Sequence, residues 1–374
     1  MTPASDSRFV LIAALSGRAL AACARRGGYR PLVADMFGDL DTCELAEATE
    51  TVPGGLSRGF AKGALLAALD RLAAGRRVIG VVVGSGFEDR PRLLRSIAAR
   101  HGLLGNPADI VTAMKNPFRF AETCALAGVP HPEVRPDQPA EGVWLRKRIG
   151  GSGGAHVAAS TRRGTARRGR YFQRRVAGEP ISAAFLAAGG RCRVLGLSRQ
   201  WADPAPRRPF RYGGSSRPAP LSAARAADIS GAVARLVAHS GLRGLNSVDF
   251  LVREDGFDVL EVNPRPGATL DIFADTQVAL FRMHLDACEG VLPDAPPVWR
   301  QAAAAAFVYA PVNIALPATF HWPLWTADRQ APGSFVPEGA PLCTVLAEAP
   351  DAAAAERLVR LRAAEILAHA EGVS

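Results

Sequence analysis

The segment from Gly244 to Gly267 constrains this chain more than any other. Ser247 to Arg253 and Phe257 to Val262 are two apolar, strand-like runs, and Glu254, Asp255 and Gly256 between them form a hairpin signal. Asn263, Pro264, Arg265, Pro266 and Gly267 end the second strand, because proline cannot donate to a ladder. Pairing of the two strands lets Asp249 and Glu261 meet on one face. Asn263, two residues past Glu261, points the same way. The hairpin over residues 246–265 therefore predicts two carboxylates and an amide oxygen converging on one spot, with Arg265 just beyond. Hard oxygen donors of that kind suit Mg²⁺, which keeps some water and binds substrate phosphates. The residues alone leave a second reading open, since most acidic pairs on strands are solvated charges on an open face. The apolar neighbours Val248, Phe250, Leu251, Val259, Leu260 and Val262 favour a sheet buried on one side, with Asp249 and Glu261 lining something on the other.

With 374 residues the chain exceeds one ordinary core, and two or three domains are expected. It is 48% hydrophobic and 21% charged, which is globular, and no apolar run approaches the length of a membrane span. The segment Met1 to Arg8 lacks the basic and apolar regions of a signal peptide. The six cysteines, Cys23, Cys43, Cys124, Cys192, Cys288 and Cys343, include no C-x-x-C pair, which points to a reducing cytoplasm and no zinc site. The net charge of +10 fits either nucleic acid or an acidic or phosphorylated small molecule. The basic residues are spread along the chain, and the basic run Arg162 to Arg170 has only Tyr171 and Phe172 beside it for stacking, so a nucleic-acid partner is disfavoured. Of the 45 Lys and Arg residues only Lys62, Lys115 and Lys147 are lysine, leaving 42 arginines. Each lysine is therefore a candidate for work that needs a compact ammonium on a flexible stem.

Taken in order, a strand Phe9 to Ala14, a helix Ala19 to Arg26, a strand Pro31 to Asp35, a helix Gly59 to Ala74, a strand Val78 to Val83 and a helix Pro91 to Arg100 predict a Rossmann-like domain over residues 1–105. Gly84-x-Gly86 lacks the third glycine of a dinucleotide fingerprint and reads as a tight turn. A helix from Asp109 to about Ala127 carries Lys115, and a strand from Gly142 to Arg148 carries Lys147. The glycine loop at 150–154 follows between two strands, where backbone N–H groups can close over phosphate oxygens. It is not a P-loop, which needs G-x-x-x-x-G-K-[ST] opening a helix. Glycine hairpins without function are commoner, but this one lies three residues after one of only three lysines. Strands Tyr171 to Val176, Ile181 to Ala187 and Arg193 to Gln200 come next, then a proline- and arginine-rich loop from Trp201 to Pro220. Its Arg207, Arg208, Arg211, Tyr212 and Arg217 fit an acidic substrate or plain surface solubility equally. Helices are expected over Ser222 to Ser240 and Asp271 to Glu289. Beyond the linker Pro293 to Pro297, a strand Ala303 to Tyr309, a small β-unit Pro337 to Leu346 and a closing helix Ala352 to Ala370 make a third unit, residues 291–374. No internal repeat is present.

Lys115, then Lys147 with its glycine loop, then Gln173 to Glu179, then Asp249, Glu261, Asn263 and Arg265 fall in an order that resembles the ATP-grasp enzymes. The resemblance covers about residues 106–290, and the element from Asp249 to Gly267 is its most specific part. It implies an α/β chain with the ATP-grasp fold, an N-terminal Rossmann-like pre-ATP-grasp domain and a small C-terminal β-rich element similar to that of biotin-carboxylase-like members. Within the family the chain looks most like the carboligase branch that includes tyramine–glutamate ligase of methanofuran biosynthesis. The resemblance implies that Lys115 contacts the α-phosphate region of ATP and Lys147 the α- and β-phosphates. Gly151, Ser152, Gly153 and Gly154 would close over the β- and γ-phosphates. Gln173, Arg174, Arg175 and Val176 would form the hinge against adenine, with Glu179 near adenine or ribose. Asp249 and Glu261 would hold one Mg²⁺, and Glu261 and Asn263 a second, with Mn²⁺ as an alternative ion. Arg265, together with Lys147, would act on the transferring phosphate. Gln173 departs from the acidic residue of many members, which leaves the adenine contacts open.

The activity this implies is that of an ATP-dependent ligase. A carboxylate, such as that of glutamate, attacks the γ-phosphate to give an acyl phosphate and ADP, and an amine then displaces phosphate to give an amide. Positioning and charge neutralisation suffice for that chemistry, and no Ser-His-Asp or Cys-His arrangement competes with it. His156 in the glycine loop reads as passive. The expected partners are ATP, an acidic or amino-acid substrate, an amine acceptor and a second copy in a homodimer, with no nucleic acid and no membrane. A methanofuran- or methanopterin-type one-carbon cofactor pathway is the expected setting. A biotin-carboxylase-like carboxylase is disfavoured because the chain leaves no room for a carrier or carboxyltransferase domain, though separate subunits could supply those. A nucleotide-binding regulator without catalysis is opposed by the joint presence of Asp249, Glu261, Asn263 and Arg265.

Overall fold

Buried apolar runs ending in glycine turns set up a parallel start to the chain. The computed structural model describes residues 8–55, 59–160, 167–206, 208–275 and 277–371. Strands β1 (Phe9–Ala13), β2 (Arg30–Asp35), β3 (Ala48–Thr51) and β6 (Val78–Val83) form a parallel sheet in the order β3-β2-β1-β6. The short pair β4 (Gly54–Gly55) and β5 (Gly59–Phe60) lies between β3 and β6 in the chain. Helices α1 (Arg18–Arg26), α2 (Leu40–Leu45), α3 (Lys62–Ala73) and α4 (Pro91–His101) accompany the sheet. Leu11, Ala13, Val81 and Val83 pack on one side against α3 and α4, while Val10, Ile12 and Val82 pack on the other with α1. The helix α2 and strand β3 were not anticipated by pattern. Lys62, exposed at the start of α3, plays no part in the site described below.

The helix expected over 109–127 is two helices, α5 (Ala108–Lys115) and α6 (Pro117–Leu126). Pro117 disfavours helical backbone at Asn116, and the Asn116 side chain instead accepts from the N–H groups of Phe118 and Arg119 as the cap of α6. Lys115 thereby becomes the last residue of α5. Strands β7 (Val134–Arg135), β8 (Trp144–Arg148), β9 (Ala158–Ala159) and β10 (Arg170–Arg174) form a second sheet, ordered β7-β10-β8-β9.

The largest sheet is antiparallel and built from β11 (Glu179–Ala188), β12 (Arg191–Ala202), β13 (Tyr212–Arg217), β14 (Gly244–Val252), β15 (Phe257–Asn263), β16 (Ala302–Tyr309), β18 (Thr326–Ala327) and β20 (Pro341–Ala349). Its order is β15-β14-β11-β12-β13-β16-β20-β18, so the strands beyond residue 291 extend it without a break. Helices α7 (Ala223–Ala238) and α8 (Leu280–Cys288), the pair β17 (Ile314–Ala315) and β19 (Phe335–Val336), and α9 (Ala352–Glu371) complete the chain. One face of the sheet packs through Val248, Phe250, Val259 and Val262 onto α5, α6 and α7. The other meets the N-terminal unit through Ala184, Leu186, Leu245 and the segment Leu270 to Phe273. The mixed α/β class expected from the sequence is borne out. Among the described residues no helix is long and apolar enough to cross a membrane, and the six cysteines are free thiols.

Two expectations are corrected. The loop expected from Trp201 to Pro220 is interrupted, because β12 continues to Ala202 and β13 takes up Tyr212 to Arg217, leaving 203–211 and 218–220. Arg217 is a buried strand residue. Its guanidinium donates to the carbonyls of Ile272 and Gln301 and lies 4.7 Å from the Trp299 ring, so it is committed to the fold. Arg211 is likewise bound to Asp203 and sits 3.7 Å over the Tyr309 ring. Arg207, and Arg162 and Arg163 of the basic run, lie outside the described residues, as does Met1 to Ser7. The helix expected from Asp271 starts only at Leu280. The Ile272 carbonyl is taken by Arg217 and the Asp271 carboxylate by Arg18, which holds this stretch in turns.

His284 on α8 ties three segments together. Its Nδ1 accepts the Leu245 N–H at 2.8 Å, and its Nε2 donates to the Leu104 carbonyl at 3.0 Å. Burial pushes its pKa down to about 4. The neutral ring is the folded form, so its contribution is complete above about pH 6.5 and is lost as pH falls from there towards 4. A loss of about 2 kcal/mol between pH 7 and pH 5 is expected from this residue. Urea unfolding at both values will read it, and a His284→Gln variant should flatten the slope; an unchanged slope rejects the assignment.

Candidate active site

The hairpin β14–β15 pairs Asp249 directly with Glu261, and Ser247 with Asn263. The register slips just after this pair, where Phe250 faces Val259. Leu260 is the extra residue of the resulting bulge, which lets Val259 and Val262 both enter the core although they are three apart. The bulge thus resolves the unbroken apolar run seen in the sequence. It leaves Glu261 and Asn263 on the face towards the N-terminal unit.

On that face the polar groups are already linked. Asn263 donates from Nδ2 to Asp249 Oδ2 at 3.0 Å, and Gln200 on β12 approaches Asp249 Oδ1 at 3.4 Å. Lys115 Nζ donates to Glu261 Oε2 at 3.0 Å and to Asn263 Oδ1 at 2.9 Å. A cationic group therefore rests on the same two oxygens that the sequence reading assigned to a second Mg²⁺. Burial and the facing Glu261 push the Asp249 carboxyl up to about 6. Burial also works against the Glu261 carboxylate, but Lys115 and Lys147 outweigh it and hold its pKa below the ordinary value. Among the described residues no group of three or more His, Cys, Asp and Glu side chains forms a metal cage. Two carboxylates and an amide oxygen, with an ammonium as stand-in cation, fit an ion such as Mg²⁺ that takes its remaining ligands from water and phosphate.

Lys147 lies buried one residue from the end of β8, opposite Tyr171. Burial lowers its pKa, and the charges of Glu261 and Asp249 act on it in the opposite direction. Its Nζ has no hydrogen-bond acceptor among the described residues. The glycine loop follows at once. A Cβ on Gly154 would lie 1.7 Å from the Phe210 carbonyl oxygen, and the Gly153 carbonyl accepts the Tyr212 N–H at 3.1 Å. The loop is therefore seated on the 203–211 turn, and only glycine fits at 154, where φ is +73°. The His156 ring lies against Gly151, and its Nδ1 is buried without a hydrogen-bond partner among the described residues. Burial lowers its pKa to about 4.

The remaining expected site residues are placed as follows. Gln173 is buried in β10, with its Nε2 3.4 Å from His131 Nε2. The Arg174 and Arg175 N–H groups donate to the carbonyls of Glu133 and Val143, and their side chains are exposed. Val176 is half-buried. Glu179 opens β11 and pairs with Arg199 at 3.2 Å on the surface. It lies three residues from Ser182, the β11 partner of Asp249, or about 10 Å along the strand. Arg265 is brought to the carboxylate wall by the turn after β15, and its Nε donates to Glu88 Oε1 at 2.6 Å. Sequence reasoning missed Glu88, Gln200 and Ser182. Glu88 stands in a segment read only as a turn, and the other two reach Asp249 solely through strand pairing.

Residues 115–269 match the ATP-grasp domain family. None of the curated proteins compared matches the chain in sequence. Among solved structures, the biotin carboxylase domain of 2-oxoglutarate carboxylase from Hydrogenobacter thermophilus, in complex with MgADP, ADP and bicarbonate, has a TM-score of 0.70 at 12% identity, covering 94% of this chain and 88% of that one. The L-amino acid ligase from Bacillus licheniformis has a TM-score of 0.69 at 14% identity, covering 95% and 96%. Carboxyaminoimidazole ribonucleotide synthase from Aspergillus clavatus, complexed with ATP, has a TM-score of 0.70 at 15% identity, covering 98% and 99%. At these identities the likeness is one of fold.

Proposed function

We propose that the chain, whose residues 115–269 match the ATP-grasp domain family, is an ATP-dependent ligase that joins a carboxylate to an amine. The observation that carries this reading is the Asp249, Glu261 and Asn263 wall bonded to the Lys115 ammonium, in a chain whose buried Lys147 leads straight into a glycine loop. Asp249, Glu261 and Asn263 would hold Mg²⁺, which when bound neutralises phosphate charge. Lys147 binds the α- and β-phosphates, Lys115 moves from Glu261 to the α-phosphate region, and Gly151 to Gly154 exclude water over the β- and γ-phosphates. Gln173 to Val176 and Glu179 take the adenosine end. A substrate carboxylate oxygen bonds to the γ-phosphorus as the bridging oxygen leaves with ADP. The amine then adds to the acyl carbon, loses a proton and expels phosphate, with Arg265 holding the phosphoryl oxygens. Such a path needs positioning and charge, not a side-chain nucleophile. The working division is 1–105 for the pre-ATP-grasp unit, 106–290 for the ATP-grasp unit and 291–374 for the C-terminal unit.

The fold shared with the L-amino acid ligase favours an amino-acid carboxylate, with glutamate the first to try and a one-carbon cofactor pathway as the setting. Bicarbonate as the carboxylate is the second reading, favoured by the neighbour solved with bicarbonate. A screen of amino acids and amines for ADP release with Mg-ATP separates them. Release that requires an amino acid and an amine supports the ligase. Release driven by bicarbonate alone transfers the site to the carboxylase reading, and no release with any carboxylate removes both.

A further inference from the structure

We infer that Glu88 is a positioning residue for Arg265, and that the loop bearing it links the glycine loop to the reacting end of the site; the inference rests on the ligase reading above. Glu88 Oε1 accepts from Arg265 Nε at 2.6 Å, and the two side chains are only 4% and 11% exposed. The other oxygen, Oε2, accepts the N–H groups of Gly86 at 2.8 Å and Phe87 at 2.9 Å. The carboxylate is therefore clamped before it touches the arginine. Phe87, buried and stacked on Phe60 at 5.4 Å, anchors the same turn in the N-terminal core. On the arginine side, Nη1 donates to the Pro266 carbonyl at 3.2 Å, and Nη2 has no acceptor among the described residues. The guanidinium is thus held along one edge, with N–H groups left to offer.

The next residue, Asp89, meets the glycine loop. Gly150, the first residue of the glycine loop, has φ +71°, and a Cβ there would lie 2.7 Å from Asp89 Cβ and 2.9 Å from its Cα. The start of the phosphate loop thus rests on the backbone next to the residue that holds Arg265. One turn at the carboxyl end of β6 touches both groups that must act on the transferring phosphate. A buried ion pair is weak evidence of stabilisation in itself. A clamped carboxylate that fixes one edge of a guanidinium aimed at a reacting group is the arrangement that orientation requires.

The test uses Glu88→Gln in the full chain, because the amide cannot accept from both Arg265 and the two backbone N–H groups. ADP release is expected to fall about 10²-fold in kcat, the usual cost of a misplaced reacting group, with the Kd for ADP by calorimetry within about twofold of wild type. In an Arg265→Lys background, which keeps the charge beside Glu88, Glu88→Gln should cost little more, because the effect travels through the arginine fork. A full additional loss in that background, or an unchanged kcat in the single variant, overturns the inference. The crystal structure of Glu88→Gln supplies a readout that needs no substrate. A guanidinium turned away from its wild-type direction supports the inference, and an unmoved one overturns it. Absence of ADP release by the wild type with every carboxylate would instead count against the ligase reading.

Discussion

Glu261→Gln is expected to lower ADP formation by at least about 10³-fold while leaving the fold intact. Glu261 is the one carboxylate that faces Asp249, bonds Lys115 and lies within the field of Lys147. In the proposed reading it serves both metal positions, so the isosteric amide removes charge where phosphoryl transfer most needs it. The fold should survive because the side chain is about 33% exposed and the amide oxygen can still accept from Lys115. Circular dichroism will check the fold, and Mn²⁺ titration followed by electron paramagnetic resonance should show weakened ion binding with ADP present. Turnover within tenfold of wild type, or Mn²⁺ binding that does not change, would sink the metal assignment.

Arg18→Met is expected to destabilise the protein by about 3–5 kcal/mol, the usual result of stranding a buried charge. Arg18 on α1 makes paired contacts with Asp271, including Nη2 to Oδ2 at 2.7 Å, and with Asp328 at 2.9 and 3.0 Å. Its side chain is 7% exposed. Burial opposes ionisation of Asp328, but Arg18 outweighs it and holds this carboxyl below its ordinary value, helped by Thr344 and Ser16. Removing the guanidinium leaves two carboxylates facing each other with little water. Urea unfolding will give the change, and adding Asp271→Asn and Asp328→Asn to the variant should recover much of the loss. A cost under 1 kcal/mol for Arg18→Met alone would show that the cluster is solvated. The prediction matters for function because these contacts join the N-terminal unit, the turn after the hairpin and the C-terminal strands.

Much of this architecture was legible before any coordinates. The parallel start, the hairpin and the closing helix follow from alternation, apolar runs and turn residues, all of which act over a few positions. That Asp249 and Glu261 lie on paired strands was readable for the same reason, but their direct pairing was not, since the register set by the turn shifts between Phe250 and Asp249. The scarcity of lysine singled out Lys115 and Lys147, and both stand at the site, whereas Lys62 does not. The bulge at Leu260 was not readable, because it depends on which side of β15 the core of α7 and α6 covers.

What the residues alone could not decide was which of 42 arginines do chemical work. Arg211 and Arg217 fitted substrate binding and surface solubility equally and are structural, while Arg18, unmarked by any pattern, organises three parts of the chain. The partners that settle these roles are far apart in sequence: Glu88 is 177 positions from Arg265, and Arg18 is 310 from Asp328. Local propensity carries no information about such pairs. The sequence by itself determined most of the elements and the hairpin that carries Asp249 and Glu261, because backbone sterics and strand alternation are local. Only the tertiary structure decided which charges are buried together, because that depends on how separate sheets close on one another and exclude water.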